Sequence, residues 1–489
     1  MSEMSSIQQS LQPKLDQLEC HFTWDIKKVN LVLTDVLNRL EEQLKMMGLG
    51  WELGVARTHC SLGYLEFLLE HKERALTHLL KSETLIKEKL GENCDKTLIV
   101  TYGNLAWINY HMKNYSECES YLMKLLKINE TLPTQPSSVP EVLGEKGWAY
   151  LKFSHKYCGR AVEVFQKAVE LDPENSEWNA GYAKALYRIE PSTSCTVDSP
   201  AIKQLRLAID DNPDDNASRS LLGLKLWFCS KKLMDESEKL VETALNGSPE
   251  DPHVIRYVGK YFRNQGSVDR SIALLMKALE RSPNSSFIHH QLAMCYKKKK
   301  IHLQKEKPDR GSQRNPGRGS QTEVNNARNE FIYYLEKATS LKANFIIAMS
   351  ELALQYGERY ELSKADSLFQ RTFKIAREKN DGVHVVHCFY AEFQQYSKRC
   401  EDLAIRHYEE CFKMNPHSSH GERSAKKLMI IAQRRITFKP DDWEANEILA
   451  LIYQNSEATK SHLATSDNEE DDEYHSNLSE CLKGCTIYG

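Results

Sequence analysis

Several features that mark membrane, secreted and catalytic proteins are absent from this sequence. No apolar run approaches the ~18 residues of a membrane span, and the opening residues MSEMSSIQQSL have neither the basic nor the apolar stretch of a signal peptide. The phosphate-cradling patterns GxxxxGKS/T and GxGxxG do not occur. We therefore expect no membrane contact, no nucleotide cofactor and no enzymatic activity.

Metal and disulfide frameworks are equally poorly supported. His384 and His387 have HxxH spacing, as do His417 and His420, but neither a CxxC pair nor an HExxH motif accompanies them. The 13 cysteines are scattered without a pairing rhythm, and many, such as Cys60, Cys229 and Cys295, fall on apolar helix faces. The sequence predicts no metal site, and it favours reduced thiols and a cytoplasmic location.

A helical repeat, by contrast, is plainly present. Helical stretches end at LDPEN, DNPDD, GSPED, RSPNS and MNPHS, which place prolines at 173, 213, 249, 283 and 416. A closing proline at a period of about 34 residues is the signature of tetratricopeptide repeats. Ala149, Ala161, Phe165 and Ala168 occupy the small and aromatic positions of that template. The sequence predicts an all-α tetratricopeptide-repeat superhelix, an α-solenoid.

The repeat also predicts the organisation of the chain. We expect nine hairpins, at about 52–90, 97–132, 140–175, 176–213, 216–251, 252–285, 286–344, 345–380 and 384–418. They divide into N-terminal helices and first repeats (1–139), central repeats (140–285) and C-terminal repeats (286–455). A basic loop is predicted at 300–325, and an acidic, mostly disordered tail, containing SDNEEDDE, at 456–489.

The first helix of each such hairpin lines the concave side of the solenoid. On the sixth hairpin the template turns Arg256, Lys260 and Arg263 inward along one helix face, and on the fourth it turns Lys184 and Arg188. The sequence thus predicts a basic concave groove or tunnel, although the net charge is −3. Lysine and arginine with interleaved rings suit single-stranded nucleic acid. An acidic peptide, or a solvated face paired with neighbouring carboxylates, remains an alternative.

Six sequence blocks resemble those of one known family. They are LECHFTWDIKK (18–28), VTYGNLAWINYHM (100–112), GEKGWAYLKF (144–153), AGYAKALYRI (180–189), VIRYVGKYFR (254–263) and SSFIHHQLAMCYK (285–297). In this order they are similar to the interferon-induced proteins with tetratricopeptide repeats, over about residues 16–450. The resemblance implies an antiviral effector that grips the 5′ end of single-stranded viral RNA in a basic tunnel and blocks its translation.

The resemblance also implies roles for individual residues. Arg39, Gln43, Lys152 and Arg188 match residues that contact the 5′-phosphates, and Trp148 matches a tryptophan that stacks on a cap guanine. The residues that match or adjoin the family's nucleotide contacts are Arg256, Tyr257, Lys260, Arg263, Phe287, His290, Gln291 and Phe345. Lys184 departs from the family, because it replaces an apolar residue beside the cap pocket.

Partners follow from the same resemblance. We expect RNA with a 5′-triphosphate or a cap, homo- or hetero-oligomers with family members, and contacts with innate-immune or translation-factor proteins. The alternative function is a scaffold that binds proteins in innate immune signalling, with its basic groove serving an acidic peptide.

Overall fold

The protein is built from α-helices, as a computed structural model of residues 2–46, 52–190, 196–305 and 318–463 shows. These ranges contain no β-strand. The first helices are α1 (Ser2–Leu15), α2 (Leu33–Met46), α3 (Glu52–Leu68), α4 (Lys72–Leu90), α5 (Asp95–His111), α6 (Tyr115–Thr131), α7 (Pro140–Phe153) and α8 (Cys158–Leu171). The central helices are α9 (Ser176–Ile189), α10 (Pro200–Asp211), α11 (Asn216–Cys229), α12 (Met234–Gly247), α13 (Pro252–Gln265), α14 (Val268–Arg281), α15 (Ser286–Lys305) and α16 (Arg318–Leu341). The last are α17 (Ile346–Glu358), α18 (Leu362–Lys379), α19 (Val383–Glu392), α20 (Glu401–Met414), α21 (Ser419–Phe438) and α22 (Trp443–Leu463).

The nine predicted hairpins are present as the helix pairs α3–α4 to α19–α20. The turns at Pro173, Pro213, Pro249, Pro283 and Pro416 form for a local reason, because a capping side chain stands two residues after each of these prolines. Asn175 accepts from the amide of Trp178 at 3.3 Å and thereby begins α9. Asp215 begins α11 and Asp251 begins α13 in the same way. Proline therefore stops one hairpin while the capping residue starts the next.

Small residues allow the helices of the central hairpins to approach closely. Ala149, Ala161 and Ala168 are buried around Phe165, as the repeat template predicted. Gly181 on α9 lies so close to this ring that a Cβ atom there would be 2.4 Å from a Phe165 carbon. The absence of a side chain at Gly181 therefore sets the distance between α8 and α9.

The chain divides into two compact units, at residues 1–352 and 353–489. In the first unit, one continuous core joins α1 to the following hairpins through buried residues such as Leu15, Leu62 and Phe165. In the second unit, Tyr408 on α20, Leu428 on α21 and Ile448 on α22 share a core. The pair α21–α22 is thus a tenth hairpin, which the repeat analysis did not identify.

Two predicted irregular segments are partly helical. Helix α15 continues to Lys305 and α16 begins at Arg318, so both ends of the predicted loop 300–325 belong to helices. Helix α22 likewise covers the start of the predicted tail, as far as Leu463. Residues 306–317, and the acidic stretch with the rest of the tail at 464–489, lie outside the described residues.

Two lysines just before the predicted basic loop are already paired. Lys297 forms an ion pair with Glu351 at 2.7 Å, and Lys299 pairs with Asp269 at 2.7 Å. Because these lysines stand on a helix with carboxylate partners, they contribute less positive charge than the sequence suggested.

The cysteines follow the expectation in part. Cys60 and Cys295 are free and buried, whereas Cys229 is disulfide-bonded, so the prediction of a reduced thiol is wrong there. Among the residues that the structure describes, no helix is long and apolar enough to cross a membrane.

Candidate nucleic-acid interface

Helix α2 bridges parts of the first unit that are distant in sequence. Arg39 donates through Nη2 to the carbonyl oxygen of Lys152, at the end of α7, at 3.0 Å. On the same helix, Asp35 accepts from the Ser286 hydroxyl at 2.9 Å, at the start of α15. Glu42 accepts from the amide of Asn284 at 3.1 Å. Helix α2 therefore spans from α7 to α15 and, with the first helices of the hairpins, encloses a common space.

Five cations from five segments meet at this space. We call Arg39, Lys152, Arg188, Arg256 and Lys342 the cation cluster. Burial lowers the pKa of Arg39, and Arg188 and Arg256 lower it further, while Asp35 opposes the change. Burial also lowers the pKa of Lys342, with Arg39 and Arg188 contributing to the decrease. These mutual effects place the cations within one electrostatic neighbourhood.

Within the cation cluster, the charged form of Lys152 is strongly disfavoured by its surroundings. Its pKa falls from 10.5 to about 8, first because of burial and then because of Arg57 and Arg39. Glu177 and Glu145 act against this decrease. Glu177 already pairs with Arg57, and burial raises the pKa of Glu145 to about 7. Neither carboxylate therefore fully compensates the ammonium group of Lys152 near neutral pH.

The cluster surrounds open space. The side chains of Arg39 and Lys342 remain 36% and 35% exposed, although protein surrounds both. The carboxylate in contact with them is Asp35, which is 3.2 Å from Arg39 and 3.9 Å from Lys342. Because Asp35 is shared between two of the five cations, the cluster favours binding of a multivalent anion.

Gln43 stands one turn after Arg39 on α2 and is half-buried. Residues four apart share a helix face. The amide of Gln43 is thus on the α2 face that carries Arg39, where it adds a neutral hydrogen-bonding group to the charged ones.

Aromatic rings continue the wall beside the cations. The guanidinium of Arg256 lies 4.6 Å from the ring centre of Tyr257 and 5.5 Å from that of Phe287. The pKa of Tyr257 falls overall, because Arg256 and Arg188 outweigh the opposing effect of burial. Along α13 and α15, the structure brings together cations and rings of the types that sequence analysis proposed for nucleotide contacts.

Further along the wall, polar groups hold one another in place. Arg263 donates through Nη1 to Gln291 Oε1 at 2.6 Å. Burial lowers the pKa of Arg263 and of Lys260, and in Lys260 the charge of Arg263 adds to the effect. The His290 and Phe345 rings are 4.8 Å apart. All eight predicted nucleotide-contacting residues therefore lie on the wall formed by α13, α15 and the approach to α17.

Trp148 is half-buried on α7, with its ring edge-to-face with Phe165 at 5.4 Å. Two ammonium groups lie over the indole, Lys152 Nζ at 5.8 Å and Lys184 Nζ at 5.9 Å from the ring centre. Trp148 is thus joined to the cation cluster through Lys152.

Two residues of the site were missed by sequence reasoning. Lys342 belongs to the cation cluster but precedes α17 in a turn, where the repeat template assigns no inward direction. Asp35 was missed because its partners, Ser286 and Lys342, are hundreds of residues away. Only the acid–base spacing Asp35-x-x-x-Arg39 on an amphipathic stretch signals this pair locally.

A separate cluster of three buried polar side chains includes Glu145 of α7, but it does not suit a metal ion. The ligand atoms of His21, Cys60 and Glu145 are within 4.8 Å of one another. Asn104 accepts from the amide of His21 at 3.1 Å, which orients its NH2 group to donate to His21 Nδ1 at 2.9 Å. The ring hydrogen of His21 must then be on Nε2. Since neither ring nitrogen offers a free lone pair, a cation would lack an imidazole ligand.

Comparison with known proteins agrees with this architecture. Residues 99–132 match the family model of the tetratricopeptide repeat. The human "Antiviral innate immune response effector IFIT1" is 32% identical over 90% of this chain and 91% of its own length. The human "Interferon-induced protein with tetratricopeptide repeats 2" is 32% identical over 94% of this chain and 95% of its own.

Solved structures of human IFIT1 resemble the fold. The dimer with m7Gppp-AAAA aligns with a TM-score of 0.77 at 31% identity, over 91% of this chain and 95% of that one. The dimer with PPP-AAAA aligns with a TM-score of 0.76 at 30% identity, over 93% and 98%. The sequence blocks, the hairpin array and these relatives together show that the chain belongs to the family of interferon-induced proteins with tetratricopeptide repeats.

Proposed function

We propose that this protein binds the 5′ end of single-stranded RNA in the space lined by the cation cluster, and so withholds that RNA from translation as an antiviral effector. The observation that carries the proposal is the concentration of five cations in one enclosed space, where Arg39 and Lys342 share a single carboxylate, Asp35. A 5′-triphosphate carries several negative charges at a single chain end, and these can neutralise the positive charge of the cation cluster. Similarity to human IFIT1 bound to PPP-AAAA and m7Gppp-AAAA supports the same ligand class.

In this proposal, the 5′-phosphates contact Arg39, Lys152 and Arg188, with Gln43 donating from α2. The first nucleotides lie along α13 and α15, where rings offer stacking surfaces and cations neutralise the following phosphates. Contacts of this kind carry little base information, so sequence selectivity should be weak. Binding alone would withhold the RNA from translation, and this function requires no catalytic step. The protein would act in the cytoplasm, where translation occurs, and could self-associate as its dimeric relatives do.

Arg188 offers a direct test. It donates to the carbonyl oxygen of Leu151 and lies near Arg39 and Lys342. Arg188→Glu should weaken binding of 5′-triphosphate RNA by roughly a hundredfold or more, because it replaces a charge-assisted donor with a repelling carboxylate. The same reversal at Arg206, which pairs with Glu236 on the exposed surface, is the matched control. Thermal unfolding of both variants should stay close to that of the wild type. Equal RNA affinity of the two variants would contradict the proposed site.

A further inference from the structure

Lys184 holds a fixed position over the indole of Trp148. Its ammonium group lies 5.9 Å from the ring centre and 3.0 Å from Asp215 Oδ2, and its side chain is only 23% exposed. Asp215 is itself fixed, because its carboxylate accepts from the amide and the hydroxyl of Ser218 as it caps α11. Net attraction from Lys184 and Ser218 lowers the pKa of Asp215 despite its burial. The ion pair therefore stays formed across the neutral range.

The second ammonium group over the same ring belongs to the cation cluster. Lys152 Nζ is 5.8 Å from the Trp148 centre, and Lys152 follows Trp148 by one turn of α7. A cation over an indole is stabilised by the electron-rich face of the ring. Two cations that belong to the protein thus lie beside the indole surface on which a base could stack next to the cation cluster.

We propose that Lys184 is a specificity-determining residue, which makes the site select a free 5′-triphosphate over an end capped by 7-methylguanosine. This inference rests on the proposed function and concerns the same site. A triphosphate gains from an additional ammonium group beside it. A capped end instead brings a further purine next to the phosphates, and that purine must displace Lys184 from both Trp148 and Asp215 to stack on the indole.

Methylation makes the capped end less suitable still. N7-methylguanine carries a positive charge, so a cation would be placed among Lys184, Lys152 and the rest of the cluster. Asp215 does not offset this charge, because it is already neutralised by Lys184 at 3.0 Å and saturated by Ser218. The space beside Trp148 is therefore built for negative charge rather than for a cationic base.

The test uses one short single-stranded RNA made with three 5′ ends: triphosphate, unmethylated guanosine cap and 7-methylguanosine cap. Wild-type protein should bind the triphosphate RNA about tenfold or more tightly than either capped RNA. The variant Lys184→Met/Asp215→Asn removes the ammonium group together with its counter-charge, and asparagine retains the helix cap of α11. It should bind capped RNA about tenfold better than the wild type, and triphosphate RNA modestly less well.

Asp215→Asn alone is the control. It leaves Lys184 over the indole, so the preference for triphosphate should persist. Wild-type protein that binds triphosphate and capped RNA equally would overturn the inference and leave the proposed function intact. A double variant that unfolds like the wild type and keeps the full preference would also overturn it. Failure of the wild type to bind triphosphate RNA at all would instead overturn the proposed function, and this inference with it.

Discussion

Replacing Lys152 with methionine should stabilise the free protein while weakening its binding of RNA. The decrease in the Lys152 pKa from 10.5 to about 8 corresponds to roughly 3 kcal/mol of unfavourable free energy for the charged form in the folded state. Since nearby groups relax and the side chain is only half-buried, we expect about 1–2 kcal/mol to appear as a gain in stability. Methionine retains most of the apolar stem, so packing beside Trp148 changes little.

The sign of the pH dependence follows from linkage. At pH 7 both folded and unfolded protein hold the Lys152 proton, and the folded state bears the cost of the charge. Between about pH 8 and 10.5 the unfolded chain binds more protons at this residue, so the free energy of unfolding of the wild type rises with pH. The advantage of Lys152→Met is therefore largest below pH 8 and shrinks as the pH approaches 10.5.

Thermal unfolding, followed by circular dichroism at pH 7 and at a pH near 10, measures this difference. The melting temperature of Lys152→Met at pH 7 should exceed that of the wild type by about 2 °C, and the gap should narrow at the higher pH. Affinity for 5′-triphosphate RNA should fall about tenfold or more at pH 7. Lys239→Met, at an exposed position on α12, should change neither quantity. A Lys152→Met protein that melts no higher than the wild type and binds RNA equally well would refute the reasoning.

Three other predictions concern the site and its frame. Affinity for triphosphate RNA should fall as the pH rises above 8, because free Lys152 then loses the proton that the bound phosphates retain, and Lys152→Arg should flatten this titration. Gly181→Ala should lower the melting temperature, because its Cβ would stand 2.4 Å from the Phe165 ring, a clash worth about 1–3 kcal/mol. Asp35→Asn should speed hydrogen exchange in α2, because it weakens the contacts with Ser286 and Lys342 that hold this helix across the site.

Each of these has a distinct control. A pH profile equally steep in Lys152→Arg would assign the titration to another group. Gly159→Ala, where a Cβ atom would meet nothing within 4 Å, should be tolerated far better than Gly181→Ala. Exchange in α12, which contains no residue in contact with Asp35, should not respond to Asp35→Asn. Unchanged exchange in α2 would show that Glu42 and the backbone contact at Lys152 suffice to hold this helix.

The hairpins could be predicted because the signals that define them are local. Pro173 and Asn175, or Pro213 and Asp215, stop one helix and start the next within three residues. The tenth hairpin was not predicted although Pro416 and the capping Ser418 precede it, because its second helix, α22, extends into the stretch predicted as a tail. The shared core of Tyr408, Leu428 and Ile448 reveals it.

Residues of the site were predictable where the repeat register or the family resemblance names them, as for Arg188 and Arg256. Lys342 was not, because it reaches the cluster through the stacking of several hairpins and meets Asp35 from a turn. The partner of Lys184 is 31 residues away on the next hairpin, so its pairing with Asp215 follows from packing rather than from spacing. The sequence likewise overstated the positive charge just before the predicted basic loop, since Lys297 and Lys299 each have a carboxylate partner.

The most direct test of the account is the affinity of the wild-type protein for one short single-stranded RNA carrying either a 5′-triphosphate or a 5′-hydroxyl, at near-physiological salt. The enclosed cation cluster predicts much tighter binding of the triphosphate RNA, and a steep loss of affinity as salt increases. Equal, weak binding of the two RNAs would contradict the account, and the basic space would then have to serve another anion, such as an acidic peptide.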